Sequence, residues 1–170
     1  MSWTSPEPAP VDEPLTGDER RMLQGVLDEQ RATLLRVCAG LRPDQLAARA
    51  VPPSALSLLG LVRHMAKVER IWLRQRVGGQ DVPALHGGPG DPADFADAAP
   101  EGAERDVVAL VEEWRLADEA VVGVPSTREI DLRGSPMSLR RVLLHLIAEY
   151  ARHNGHADLL REALDGVTGR

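Results

Sequence analysis

Four long stretches of this chain return an apolar residue every three or four positions, and that rhythm predicts four amphipathic helices. The first opens at Thr16-Gly-Asp-Glu19, which has capping-box spacing. It runs through Leu23, Val26, Leu27, Leu34, Val37 and Leu41 to a stop at Arg42-Pro43. The second follows Pro52-Pro53, takes Ser57 as its N-cap, carries Leu58, Leu61, Met65, Val68 and Trp72 on one side, and ends at Gly78-Gly79. The third extends from Glu104 to Val122, with Val107, Leu110, Val111, Trp114 and Leu116 turned toward a core. Ser138 caps the fourth, which continues to Asp165 and closes at Gly166.

The segment from Ile130 to Met137 reads as irregular, and no stretch reads convincingly as a strand. The expected fold is therefore all-α, a four-helix bundle with a long loop between helices 2 and 3. That loop, from Gln80 to Pro100, is rich in Gly, Pro, Asp and Ala. Its length fits a lid or binding loop, and a passive surface loop fits equally well. His86 within it reads as a solvent-exposed residue with no partner at ligand spacing. Pro6, Pro8, Pro10 and Pro14 make residues 1–14 an extended arm rather than a packed element, leaving 15–170 as one bundle domain.

The fourth helix breaks its own pattern. At about 100° per residue, Glu149, His153 and His156 fall within roughly 80° of His145, so one stripe carries three imidazoles and a carboxylate. The apolar arc of Val142, Leu146, Leu160 and Leu164 encloses His153 and has Glu149 on its shoulder. Buried polar groups need partners, and a metal ion would satisfy both. Glu149 and His153 are about 6 Å apart along the axis and can converge on one centre; Glu149 and His156, about 10.5 Å apart, cannot. His64, on the apolar side of the second helix, is the remaining candidate ligand. Two imidazoles and one carboxylate leave a coordination position open and suit zinc, nickel or ferrous iron. Each piece also has a plainer reading: His64 as a histidine at the core margin, Glu149 as a surface partner of Arg152 or Arg141. His145 and His156 read as hydrogen-bond partners behind the ligands or residues at the site's edge, and Arg152 joins them as a substrate-contact candidate.

Composition narrows the chemistry. Lys+Arg 20 against Asp+Glu 26 gives a formal charge of −6 with no clustered basic face, which excludes nucleic acid as an expected partner. No apolar run approaches the roughly 20 residues of a membrane span, and the first residues lack the marks of a signal peptide. A cytoplasmic protein is expected. The single cysteine, Cys38, lies beside Leu34, Val37 and Leu41 and reads as a buried apolar residue, so any thiol chemistry would use a small-molecule thiol.

Two motifs, Ser57-Leu-Leu-Gly-Leu-Val-Arg-His64 continuing to Val68-Glu69-Arg70 and Trp72, and Leu144-His145-Leu-Ile-Ala-Glu149-Tyr-Ala-Arg-His153-Asn-Gly-His156-Ala-Asp, resemble the DinB-like superfamily of metal-dependent bundle proteins. The likeness covers nearly all of the chain after the arm, including Asp28-Glu-Gln-Arg31. It implies His64, Glu149 and His153 as metal ligands. Many members carry histidine where this chain has Glu149, and the carboxylate form resembles the branch containing mycothiol-dependent maleylpyruvate isomerase. That branch implies a zinc centre working with mycothiol or another low-molecular-weight thiol on a small-molecule substrate, in a transferase or an isomerase, and leaves a homodimer open. The rival reading is a non-catalytic bundle, metal-stabilised or sensing a small ligand.

Overall fold

The computed structural model describes residues 3–168. Its elements are α1 (Glu19–Cys38), α2 (Pro43–Leu46), α3 (Leu58–Glu69) running on as a π-helical segment (Arg70–Val77), α4 (Ala93–Ala96), a 3-10 turn (Pro100–Gly102), α5 (Ala103–Ala120), β1 (Glu129–Leu132), β2 (Ser135–Ser138) and α6 (Leu139–Asp165). The four long helices form the expected all-α bundle, with α1 packed along α6 and α3 along α5. No helix among the described residues is long and apolar enough to cross a membrane.

Local chemistry sets the helix ends. The hydroxyl oxygens of Ser57 and Ser138 accept from the backbone N–H of Gly60 and Arg141, and Gly166 closes α6 at φ 77°, in the left-handed region. At the start of α1 the cap is Asp18, whose carboxylate accepts from the Arg21 N–H, and not Thr16. Gly17, at φ 120°, turns the chain after Thr16, so the helix begins two residues later than the Thr16–Glu19 spacing suggests.

The core is aliphatic: Leu27, Leu34, Leu58, Leu61, Met65, Leu110, Val142, Leu143 and Leu146 are buried. α3 is enclosed on nearly every side, since Leu59, Val62 and Ala66 are as buried as the face expected to be apolar. On α5 the pattern misleads at Val111, which is 44% exposed, while Asp106 and Glu113 are buried. The face of α5 toward α3 meets arginines: Arg63 binds Asp106 at 2.7 Å, and Arg70 and Arg74 bind Glu113 at 2.6 and 3.1 Å.

Two further expectations are corrected. Residues 129–138 form an antiparallel hairpin, with Ile130 opposite Met137 and Asp131 opposite Pro136. Its two turn residues, Arg133 and Gly134, have φ of 55° and 84°, the left-handed pair that matches strand twist. The arm is extended but packed: the Ser5 N–H binds the Leu41 carbonyl at 2.9 Å, the Gly40 N–H binds the Ser5 carbonyl at 2.8 Å, and Trp3 rests on the core. The arm's remaining residues, 1 and 2, lie outside the described residues.

A candidate metal centre between the second and fourth long helices

His64 on α3 and Glu149 and His153 on α6 offer ligand atoms that all lie within 4.8 Å of one another. On α6, His153 Nε2 lies 3.5 Å from the Glu149 carboxylate. Donors sharing one tetrahedral ion at about 2.1 Å are about 3.4 Å apart, so this pair already has ligand spacing and His64 needs only a small side-chain adjustment. The His64 and His153 rings meet edge to face at 4.8 Å between centroids. The donor set, two imidazoles and a carboxylate with partly exposed His64 and Glu149, is one that can hold a divalent ion and leave a side open to solvent. Glu149 pairs with neither Arg152 nor Arg141, the alternative its surface position allowed.

Each imidazole is oriented from behind. His64 Nδ1 lies 2.8 Å from the carboxylate of Asp94. Asp94 is buried, so it accepts the Nδ1 proton and leaves the Nε2 lone pair as the free donor of His64. Phe95 stacks on the other side of the ring at 5.0 Å. Gly60, one helical turn before His64, makes that approach possible, because a Cβ there would sit 2.9 Å from the Phe95 ring.

Asp94 is itself fixed. Its carboxylate lies 3.3 Å from Lys67 Nζ, and Arg63 donates to its carbonyl at 2.9 Å and to that of Ala93 at 3.0 Å. Sequence reasoning missed Asp94 altogether. It sits in a Gly- and Pro-rich loop with no periodicity, and only the fold carries it to His64. The loop thus forms a wall of the site, held by buried arginine and lysine side chains. His86 is half-buried in the same loop rather than exposed, in the left-handed region at φ 53°. Burial and the nearby Arg63 hold its imidazole below the usual pKa.

The other stripe residues take different places. His156 Nδ1 is 3.3 Å from His153 Nδ1, behind the nitrogen that faces Glu149. His145 leaves the triad and packs edge-on against Trp72, with centroids 4.7 Å apart. Arg152 is exposed at the surface. Cys38 is fully buried, and burial pushes its thiol up to about 12, so it is no nucleophile.

Burial and the neighbouring His64 push His153 down to about 4, which keeps its imidazole neutral and available at neutral pH. An unfolded histidine titrates near 6.5. Between those values the unfolded chain binds the extra proton, so the His153 contribution is present above about 6.5 and lost as pH falls toward about 4. In chelator, the melting temperature of the parent should therefore fall faster over this window than that of His153→Gln; parallel pH curves would contradict the assignment.

Beside the triad runs a buried polar network. Arg31 on α1 grips Glu69 on α3 through two bonds of 2.8 and 2.9 Å, and reaches Asp28 at 2.7 Å and Asp118 at 3.0 Å. Tyr150, next to Glu149 in sequence, donates to Glu69 at 3.1 Å and accepts from Trp114 Nε1 at 2.7 Å. All four long helices meet there. The network fixes how far α6 can rotate or slide, and with it the position of Glu149.

Comparison with known proteins now adds a family. A conserved protein from Enterococcus faecalis, known from its crystal structure, superposes with a TM-score of 0.68 at 14% identity over 89% of this chain and 100% of its own, which shows a shared fold. No curated protein matches the chain. The sequence model of the mycothiol-S-transferases matches residues 22–166, which takes in the four long helices except the first residues of α1, and His64, Glu149 and His153. The chain belongs to the mycothiol-S-transferase family, a DinB-like family.

Proposed function

We propose that this protein is a zinc-dependent enzyme that joins mycothiol through its sulfur to a small electrophile, with His64, Glu149 and His153 as the ligands of the ion. The observation that carries the reading is the convergence of these three donors from α3 and α6 in a chain whose own thiol is sealed in the core. A divalent cation held there supplies a Lewis acid that favours the deprotonated form of a thiol and polarises a substrate.

The chain's own residues supply the rest. Asp94 keeps the His64 proton on Nδ1, and His156 buttresses the back of His153. Phe95 stacks on the His64 ring and covers that face of it with aromatic surface. Glu149 contributes one negative charge to balance the cation and, being half-exposed, lies where an incoming thiol can reach. In the overall transfer the thiol S–H bond and the bond from carbon to its leaving group break, the S–C bond forms, and a proton and the leaving group go to solvent.

The test is consumption of mycothiol in the presence of an alkyl halide. The rate should collapse on chelation and return with zinc. A rate indifferent to chelation would contradict the reading. Chelation should also lower the melting temperature, because an ion bound only by the folded chain at 100 times its Kd adds about 2.7 kcal/mol. The transition should stay helical and cooperative, since the aliphatic core does not depend on the triad. Loss of all helical circular dichroism on chelation would instead favour a structural ion.

A further inference from the structure

The N-terminal arm is anchored at both ends and hollow beneath its middle. At one end Ser5 pairs through its backbone with Gly40 and Leu41. At the other, Pro14 seats on α1 at Gly25, where a Cβ would come within 2.5 Å of the proline ring, and Asp12 pairs with Arg21 at 3.1 Å. Between these anchors Pro6, Pro8 and Pro10 have no N–H to donate, and among the described residues no hydrogen bond ties residues 6–11 to the helices. The strap crosses the seam between α1 and α5 without filling it.

Under the strap lies a cavity of about 640 Å³. That is the size of a small-molecule site, and the space between helices of a bundle is a usual place for one. Val11 of the arm and Val111 and Trp114 of α5 supply apolar wall. Val111, exposed against the helical period of α5, thus faces this space. Trp114 Nε1 donates to the Tyr150 hydroxyl at 2.7 Å, so the indole is already fixed and loses little freedom when a ligand packs on it.

Charge decides what fits. Arg31 is the one cation of the lining, and Glu69 balances it at 2.8 Å. Asp28 and Asp118, 35% and 40% exposed, line the same cavity and are bridged by the Gln24 amide at 2.9 and 3.2 Å. Among the described residues neither has a cation at ion-pair distance other than that same Arg31, so one guanidinium serves three carboxylates. Burial, with Asp118 beside it, holds the Asp28 carboxyl above its ordinary range although Arg31 is bonded to it. Glu7 adds a further negative charge from the arm. A cation is attracted to such a wall and an anion repelled.

We infer that the seam between α1 and α5, under the arm, binds a small organic cation: an amine whose apolar body lies against Trp114 and Val111 and whose ammonium meets Asp28 and Asp118. This site is separate from the candidate metal centre, which lies between α3 and α6.

The test is calorimetric titration of 3-phenylpropylamine, its uncharged analogue 3-phenylpropanol and its anionic analogue 3-phenylpropionate into the full-length protein, with and without zinc. The amine should bind once per chain, at least about tenfold more tightly than either analogue, and equally well in both metal states. Val111→Trp fills the cavity from an exposed position, and Asp28→Asn removes one of the two charges while keeping the side chain's shape. Each should weaken amine binding about tenfold or more. Undiminished amine binding in either variant, an alcohol that binds as tightly as the amine, amine binding confined to the zinc-loaded protein, or no saturable amine binding at millimolar concentration would overturn the inference.

Discussion

Arg31→Ala is expected to destabilise the protein by about 3–5 kcal/mol, the usual cost of leaving one partner of a buried ion pair alone. That is a large part of the 5–15 kcal/mol by which domains are generally stable. Glu69 has no solvent exposure, and without Arg31 its carboxylate would keep only the Tyr150 hydroxyl. Burial already raises the Glu69 carboxyl above the ordinary carboxylate range with Arg31 in place, and removing the cation raises it further. The folded variant then holds a proton that the unfolded chain releases, so its stability falls as pH rises, and its deficit in urea unfolding should be larger at pH 8 than at pH 5. Replacing both partners, as Arg31→Met with Glu69→Leu, should cost less than Arg31→Ala alone. A deficit below 1 kcal/mol for Arg31→Ala would show that the network adds little.

His153→Ala and Glu149→Ala should each weaken zinc binding by more than 100-fold. Asp94→Asn and His156→Ala should lose only about 10–100-fold, the range typical of residues that orient a ligand rather than serve as one. The ranking separates the candidates. If His156→Ala abolished binding while Glu149→Ala left it intact, the pair on α6 would be His153 and His156, one turn further along the helix. Asp94→Asn keeps the shape of the side chain and removes its charge, so an undiminished affinity there would deny it any part in orienting His64.

Much of this site could be read from the order of residues on two helices. The 3.6-residue period places Glu149 and His153 on adjacent turns of α6, and an imidazole inside an aliphatic arc is conspicuous without any structure. His64 was harder, since only pairing of α3 with α6 brings it close, but its apolar neighbours already turned it inward. Asp94 could not be found this way. Its role depends on Arg63 and Lys67 holding a loop against α3, and nothing in a run of Gly, Pro, Asp and Ala encodes that contact.

The misreadings have equally local causes. The hairpin was hidden by strands of four residues, by Pro136 within the second, and by Arg-Gly where Asn-Gly would have signalled the turn. The π-helical segment differs from an α-helix in hydrogen-bond register, which an eight-residue apolar pattern does not resolve. Helical period places Val111 toward the core, yet buried arginines on the facing helix select Asp106 and Glu113 for that face. The burial of Glu69 and Arg31 comes from the way four helices meet, which helical periodicity alone does not show.

If the three donors hold an ion that meets a small-molecule thiol, cobalt in place of the native metal should make the sulfur visible. Mycothiol added to the cobalt-loaded protein should produce a sulfur-to-cobalt charge-transfer band that strengthens as pH rises toward the thiol's own pKa and is absent from Glu149→Ala. No spectral change with mycothiol at millimolar concentration, in protein shown to have bound cobalt, would contradict it.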